Sequence, residues 1–408
     1  MQLNIPSETD RLKGVIVHTP GREVSLLNPE IKDDLLFDDI IFEEDARSEH
    51  LDMLEVFRVS LPEGGMIYEI TDLIQEVFEQ EEARSYFIQR FKKQLPETHV
   101  HIVEDQLVSL SGDELLQFAV EGFTEAVKGF SIPPIPNLLF TRDLAAVVGD
   151  GIILSQAAKK ARIRETLLME TLVMHHELFS AIRPNVIRIP FRESIEGGDI
   201  LVASDEVVLI GMSERSSFSG SMKAAEGLFK RGIKHVLIVD IPKQRSSMHL
   251  DTIFTFASPD ECIVFPPAIS EREDNVVALS HDGDKIVAEM QPSVQQALET
   301  FLKRPVTFIN CGGDDRTNQF REQWTDGANV FALAPGIIVG YERNTNTFNT
   351  LKAHGYELMN QYDFIEEYRN KEFKPEAGKK IAISFRGHEL CRGRGGARCM
   401  TLPISRVS

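Results

Sequence analysis

The chain has 408 residues, 42% of them hydrophobic, enough for one large domain or two to three ordinary ones with a substantial core. Lys and Arg number 44 against 63 Asp and Glu, a formal charge of −19 that repels phosphate backbones and excludes a nucleic-acid partner. The four cysteines, Cys262, Cys311, Cys391 and Cys399, form no CxxC and no paired metal spacing, so free thiols are expected rather than a disulfide scaffold or a structural zinc site.

The N-terminal stretch "MQLNIPSETDRLKGVIVHTPG" lacks a basic segment followed by an apolar one, and no apolar run reaches bilayer length, so a cytoplasmic protein without membrane contact is expected. Its "GVIVHTPG" is the first of several short β-branched runs closed by turn signals. The acidic "LLFDDIIFEEDARSEHLDML" reads as the solvated face of a helix. From about Met66 to Gly129 apolar residues recur at three- and four-residue intervals, as in "IYEITDLIQEVFEQEEARSYF" and "GDELLQFAVEGFTEAVKGF", which predicts an inserted helical segment. It stops at "SIPPIPNLLF", whose prolines forbid helix continuation and suit an extended lead into a site. Beyond it, strand-like runs such as "AAVVGDGIILS", "DILVASDEVVLIGM", "KHVLIVDIP", "ANVFALAPGIIVGY" and "KIAISFRG" alternate with helical stretches such as "SGSMKAAEGLFKRG" and "SVQQALETFLKR". That is the pattern of an α/β body. No exact sequence repeat is visible.

Four polar clusters stand beside these apolar runs: "NLLFTRD" at 137–143, "IEGGD" at 195–199, "MHLDT" at 248–252 and "RGGARC" at 394–399. Polar residues at strand ends, with glycines that permit close backbone approach, are what an active site on an α/β scaffold needs. Singly, each has a structural reading: Asp143 as an N-cap or a partner for Arg142, Glu196 and Asp199 as supports of a tight Gly-Gly turn, His249 as a satisfied core histidine. His249 and Asp251 alternate along what reads as extended chain, so their side chains would share a face. Together, one thiol, one histidine and several carboxylates make a poor zinc site but a good one for a planar cation. Carboxylates grip the edges of a guanidinium, a thiolate attacks its central carbon, and an imidazole protonates the departing nitrogen and then activates water.

In order and spacing, "FTRD", "EGGD", "GMSERSS", "MHLDTIFT" and "GRGGARCMTLPI", with "LLFDDI" and "GYERN", resemble the arginine deiminases over nearly the whole chain. The resemblance implies a five-bladed, pseudo-fivefold α/β propeller formed by residues 1–65 and 130–408, with a helical bundle inserted at 66–129. It implies hydrolysis of free L-arginine to L-citrulline and ammonia in arginine catabolism, with neither metal nor organic cofactor, by a homodimer or larger homo-oligomer. By motif, Cys399 would be the nucleophile and His249 the general acid and base. Asp143 and Asp251 would clamp the guanidinium, and Glu196 would assist proton movement. Asn137, Arg162, Arg215 and Arg394 would hold the amino-acid end, with Arg164 as an alternative to Arg162. Phe140 would pack on the substrate and Gly393 would offer its backbone to the α-ammonium. Sister activities on agmatine, methylated arginine or an amine acceptor, a silent arginine-binding protein, and a metal hydrolase using His249, Asp251 and Glu196 are the alternatives. The arginines Arg215 and Arg394 speak against agmatine, which has no carboxylate.

Overall fold

The computed structural model describes residues 2–95, 97–283 and 285–407. Its β-branched runs form five separate sheets, so the architecture is mixed α/β as the alternating pattern predicts. One motif recurs: an antiparallel strand pair, a helix, and a third strand parallel to the second of the pair. Strands Ala145–Val148 and Gly151–Leu154 pair antiparallel, the helix Ile163–His175 follows, and Val186–Ile187 returns parallel to the second strand. The same sequence of events runs through Ile200–Val202, Val207–Met212, helix Phe218–Phe229 and His235–Asp240. It recurs in Phe254–Ser258, Glu261–Val264, helix Val294–Leu302 and Thr307–Asn310. Phe331–Ala334 and Ile337–Tyr341 begin a fourth unit, completed by Ile381–Phe385 and Glu357–Asn360. The last sheet joins the two ends of the chain, with Leu402–Val407 antiparallel to Arg11–Val17 and Met66–Glu69 parallel to it.

The helical stretch is shorter than its periodicity predicts at both ends. Met66–Glu69 is a strand, because its backbone completes the parallel ladder on Gly14–Val17, and the helices begin at Ile70. They end at Glu121, where Gly122 adopts a left-handed φ of 86° and a Cβ would stand 1.9 Å from the Ile132 carbonyl oxygen. The chain then runs through "FTEAVKGF" without a helix, although its apolar spacing is helical. The four helices, Ile70–Phe78, Glu81–Phe91, Glu97–Ser109 and Gly112–Glu121, are not packed on their own. Leu73, Phe78, Phe87 and Phe118 share one buried cluster with Leu168 and Leu172 of the helix Ile163–His175.

The acidic stretch does more than face solvent. Its second half is a helix, Glu43–Ser60, that buries Ala46, His50, Met53 and Phe57. Its first half is a loop that places Phe37 against Phe140 with ring centroids 6.4 Å apart. Among the described residues no helix is long and apolar enough to cross a membrane.

Candidate active site

The four polar clusters converge because each lies immediately before an edge strand of a different sheet. Asp143 precedes Ala145–Val148, Glu196 and Asp199 precede Ile200–Val202, His249 and Asp251 precede Phe254–Ser258, and Cys399 precedes Leu402–Val407. Strand pairing fixes where each sheet begins, and short 3-10 turns then aim the side chains inward. His249 and Asp251 do not lie on one extended strand as their spacing predicts. His249 is extended, but Leu250–Thr252 is a 3-10 turn, and that turn brings Asp251 toward Cys399.

His249 forms the middle of the site. Its Nε2 is 2.8 Å from Glu196 Oε2, and its Nδ1 is 3.6 Å from Asp143 Oδ1. Gly198 is needed here, since a Cβ would come within 2.8 Å of both Asp143 Oδ1 and His249 Cγ. Burial alone would lower the basicity of His249, but Asp143, Glu196 and Asp199 outweigh it and push the imidazole up to about 9. Burial opposes ionisation of Glu196, yet His249 and Arg215 hold it down at about 2. The pair is therefore an imidazolium and a carboxylate at neutral pH. Stability contributed by His249 is fully present below the ordinary imidazole value of 6.5 and is lost as pH rises through about 9. Stability from Glu196 is present above its ordinary 4.5 and is lost as pH falls through about 2. Thermal melts against pH should show the gap between the unmodified protein and Glu196→Gln widest between about 4.5 and 6.5. A gap independent of pH would refute the ion pair.

The two aspartates are arranged alike. Asp143 Oδ2 accepts from Arg162 Nη1, and Asp251 Oδ2 accepts from Arg398 Nη1 at 2.7 Å. In each case Oδ1 is buried with no hydrogen-bond partner among the described residues. Two half-satisfied carboxylates, 5% and 0% exposed, are costly unless a cation with its own N–H donors completes them. Cys399 is buried beside them, its Sγ 3.9 Å from Asp251 Oδ2. Burial, then Asp251, Asp143 and Asp326, raise its thiol well above the ordinary range, so the sulfur is protonated while the site holds no cation.

The residues expected at the amino-acid end are gathered here with different degrees of freedom. Arg215 lies over Glu196, Nη1 to Oε2 3.5 Å, and its buried Nε, 4.0 Å from Glu214 Oε1, has no hydrogen-bond partner among the described residues. Arg394, in a left-handed conformation at φ 63°, stacks its guanidinium 3.6 Å from the Trp324 ring centroid and donates to the Trp324 carbonyl. Its Nε is likewise unpartnered among the described residues. Asn137 donates from Nδ2 to the Leu35 carbonyl at 2.7 Å, tying the Phe37 loop down, and Phe140 packs where a Cβ on Gly393 would touch it. Arg162 differs: its donors go to Glu165 Oε2 at 2.8 Å, to Asp143, and to the carbonyls of Asn137 and Phe140. Arg164 points elsewhere, donating to the Pro133 carbonyl.

Three supporting groups have no counterpart in the sequence reading. Arg398, inside the "RGGARC" cluster, joins Asp251 to Glu8 (2.9 and 3.1 Å) and to the Ile200 carbonyl (2.8 Å). Its adjacency to Cys399 was the one available signal. Asn329 accepts from the Cys399 amide through Oδ1 at 3.1 Å and donates from Nδ2 to the Asp251 carbonyl at 2.8 Å, and nothing in its local sequence marks it. Ser213 and Ser216, in "GMSERSS", each donate to Asp199 Oδ2 at 2.6 Å, while Asp199 Oδ1 accepts from the Leu250 amide at 2.8 Å. Asp199 thus takes the structural role, bracing the turn that carries His249.

One ligand atom each from Asp143, Glu196 and His249 lies within 4.8 Å of the others, a separation that a metal ion could bridge. That trio contains Asp143 rather than Asp251. Both of its carboxylates already face a protein guanidinium, Arg162 or Arg215, which competes directly with a metal.

Fold and site together define a class: an α/β protein with a cysteine, a histidine and paired carboxylates gathered in one buried site. A family model described as arginine deiminase matches residues 33–406. The arginine deiminases of Listeria monocytogenes serotype 4b (strain CLIP80459) and Streptococcus uberis are each 32% identical to the chain, covering 99% of it and 98% of their own length. The chain belongs to the arginine deiminase family. Among solved structures, the N-terminal domain of ArgZ covalently bound to a reaction intermediate aligns with a TM-score of 0.53 at 15% identity, over 96% of this chain and 98% of that one. SxtG, an amidinotransferase from Microseira wollei, aligns with a TM-score of 0.54 at 13% identity, over 100% and 98%. These distant likenesses concern the fold.

Proposed function

We propose that this protein hydrolyses free L-arginine to L-citrulline and ammonia, with Cys399 as nucleophile and His249 as general acid and base. The observation that carries the reading is the pair Asp143 and Asp251: two buried carboxylates beside one thiol, each with one oxygen held by a protein arginine and the other unpartnered among the described residues. A guanidinium presents five N–H donors in one plane and satisfies both.

Substrate entry brings a positive charge against Cys399, which offsets the carboxylates that keep its thiol protonated. The thiolate adds to the guanidinium carbon, converting a planar cation into a tetrahedral adduct held in place by Asp143 and Asp251. His249 gives its proton to one nitrogen of the adduct. That C–N bond breaks, ammonia departs, and a thiouronium on Cys399 remains. Neutral His249 then takes a proton from water and the hydroxide adds to the same carbon; the adduct collapses with its hydroxyl proton passing to the departing sulfur, which restores the thiol and leaves the ureido group of citrulline. Glu196 keeps the imidazole oriented throughout.

At the other end of the substrate, Arg215 and Arg394, each with an Nε that has no hydrogen-bond partner among the described residues, receive the α-carboxylate. Phe140 covers the aliphatic stem, Asn137 anchors the loop above it, and Gly393 lies beside Phe140. Arg162, whose donors are all directed at protein acceptors, acts by orienting Asp143. The five sheets with their repeated motif are read as the blades of a pseudo-fivefold propeller around this pocket. The helices within 66–129 are read as its insertion, and the whole as a cytoplasmic homo-oligomer serving arginine catabolism.

Citrulline and ammonia released from L-arginine in the presence of a chelator test the reading. Equimolar products are expected, with agmatine and methylated arginines turned over far more slowly. Activity that disappears with chelator would instead select the metal reading of Asp143, Glu196 and His249.

A further inference from the structure

Four of the five sheets send a residue expected in the chemistry into the site from the loop before an edge strand. The fifth, whose edge strand begins at Phe331, does so as well, through Asn329, and the same loop carries Asp326. Asn329 is accounted for, since it anchors Cys399 and Asp251. Asp326 is not. It is 2% exposed, and both of its carboxylate oxygens are buried with no hydrogen-bond partner among the described residues. It lies two residues beyond Trp324, whose carbonyl accepts from Arg394, and its own carbonyl accepts at 2.9 Å from the backbone amide of Asn329, the residue whose side chain holds the Cys399 amide. Yet Arg394 is drawn away from it, stacked on Trp324 and donating to the carbonyls of Trp324 and Ser246.

A carboxylate with two empty acceptors and a guanidinium with an empty donor therefore occupy one part of the pocket without bonding each other. A zwitterion complements such a pair: its carboxylate turns to the arginine and its ammonium to the aspartate. We propose that Asp326 binds the α-ammonium group of the substrate and is a specificity residue for amino acids over guanidino compounds lacking that group. The assignment rests on the L-arginine reading of the site. It supplies a charged acceptor where otherwise only backbone at Gly393 would serve. Burial holds the Asp326 carboxyl up at about 7 when no ligand is present, so the incoming ammonium would also draw the proton off it.

Isothermal titration on Cys399→Ser protein, with and without Asp326→Asn, tests this with three ligands. L-arginine carries both groups, agmatine lacks the carboxylate, and 5-guanidinopentanoate lacks the ammonium. Losing a hydrogen bond to a charged group, Asp326→Asn is expected to weaken L-arginine and agmatine about 10- to 100-fold. It should leave 5-guanidinopentanoate within about twofold. Ligands too weak to titrate can be read as competitors of L-arginine turnover in protein with Cys399 intact. Unchanged L-arginine affinity would overturn the proposal, because Asn mimics the neutral acid and the charge would then be irrelevant. Equal weakening of all three ligands would overturn it too, showing a role through Arg394 or the loop. Absence of L-arginine binding while Asp326 is intact would instead refute the substrate reading on which it rests. Thermal melts check that the variants fold. Should Asp326→Asn fail to fold, Asp326→Glu, which keeps the charge and moves it by one methylene, is expected to show the same selective pattern at smaller amplitude.

Discussion

Cys399→Ser is expected to lower citrulline formation by at least about 10⁴-fold, the scale on which a covalent catalyst fails without its nucleophile. Serine is nearly isosteric, so the buried position, the Asn329 bond to the Cys399 amide and the surrounding carboxylates should survive. What is lost is ionisation. The thiol is already raised by burial and three acids, and only a bound guanidinium brings it within reach; a hydroxyl starts far too high for the same charge to suffice. L-arginine should therefore still bind, measurably by calorimetry, with no turnover. The native enzyme should also show kcat/KM rising with pH up to about 9, because the free thiol resists ionisation, and no further rise above it, where His249 loses the proton it must donate. Normal turnover by Cys399→Ser would remove the covalent mechanism altogether.

Asp251→Ala is expected to damage both stability and catalysis. The side chain has two faces: Oδ2 holds Arg398 at 2.7 Å, and Oδ1, without a hydrogen-bond partner among the described residues, is the oxygen proposed to meet the substrate. Removing one partner of a buried ion pair costs roughly 3–5 kcal/mol. The lower part of that range is expected here, because Glu8 continues to bond the Arg398 guanidinium. On the catalytic side, the loss of one of two clamping acids lets the guanidinium rotate away from Cys399, and kcat/KM should fall about 10³-fold or more. Denaturant unfolding measures the first effect and initial rates the second. Asp251→Asn separates them: it keeps an acceptor for Arg398 and should recover much of the stability, yet little of the rate. Full activity in either variant would withdraw Asp251 from the clamp.

The positions of the strands and the chemical types in the site were legible because they are written locally. A β-branched run followed by Gly or Pro specifies a buried strand wherever it lies, and a Gly-Gly step beside acids announces close packing. Local pattern failed where a distant partner decided. Met66–Glu69 has helical spacing but is claimed by the open edge of Arg11–Val17. "FTEAVKGF" has helical spacing too, but lies beyond the left-handed Gly122. Arg162 and Arg164 are indistinguishable in "ARIRE", and only the helix beginning at Ile163 turns one toward Asp143 and the other toward Pro133.

By itself, then, the amino-acid order determined the α/β character, the five ordered motifs and the residue types gathered in the candidate site, since each depends on residues within a few positions of one another. Only the tertiary structure decided which oxygen of Asp143 and Asp251 has no hydrogen-bond partner among the described residues, that Arg398 reaches Glu8 across 390 residues, and that Asn329 holds the Cys399 amide. Those arrangements arise where loops before five different sheets meet, and burial removes the water that would otherwise satisfy each charge, so every partner matters.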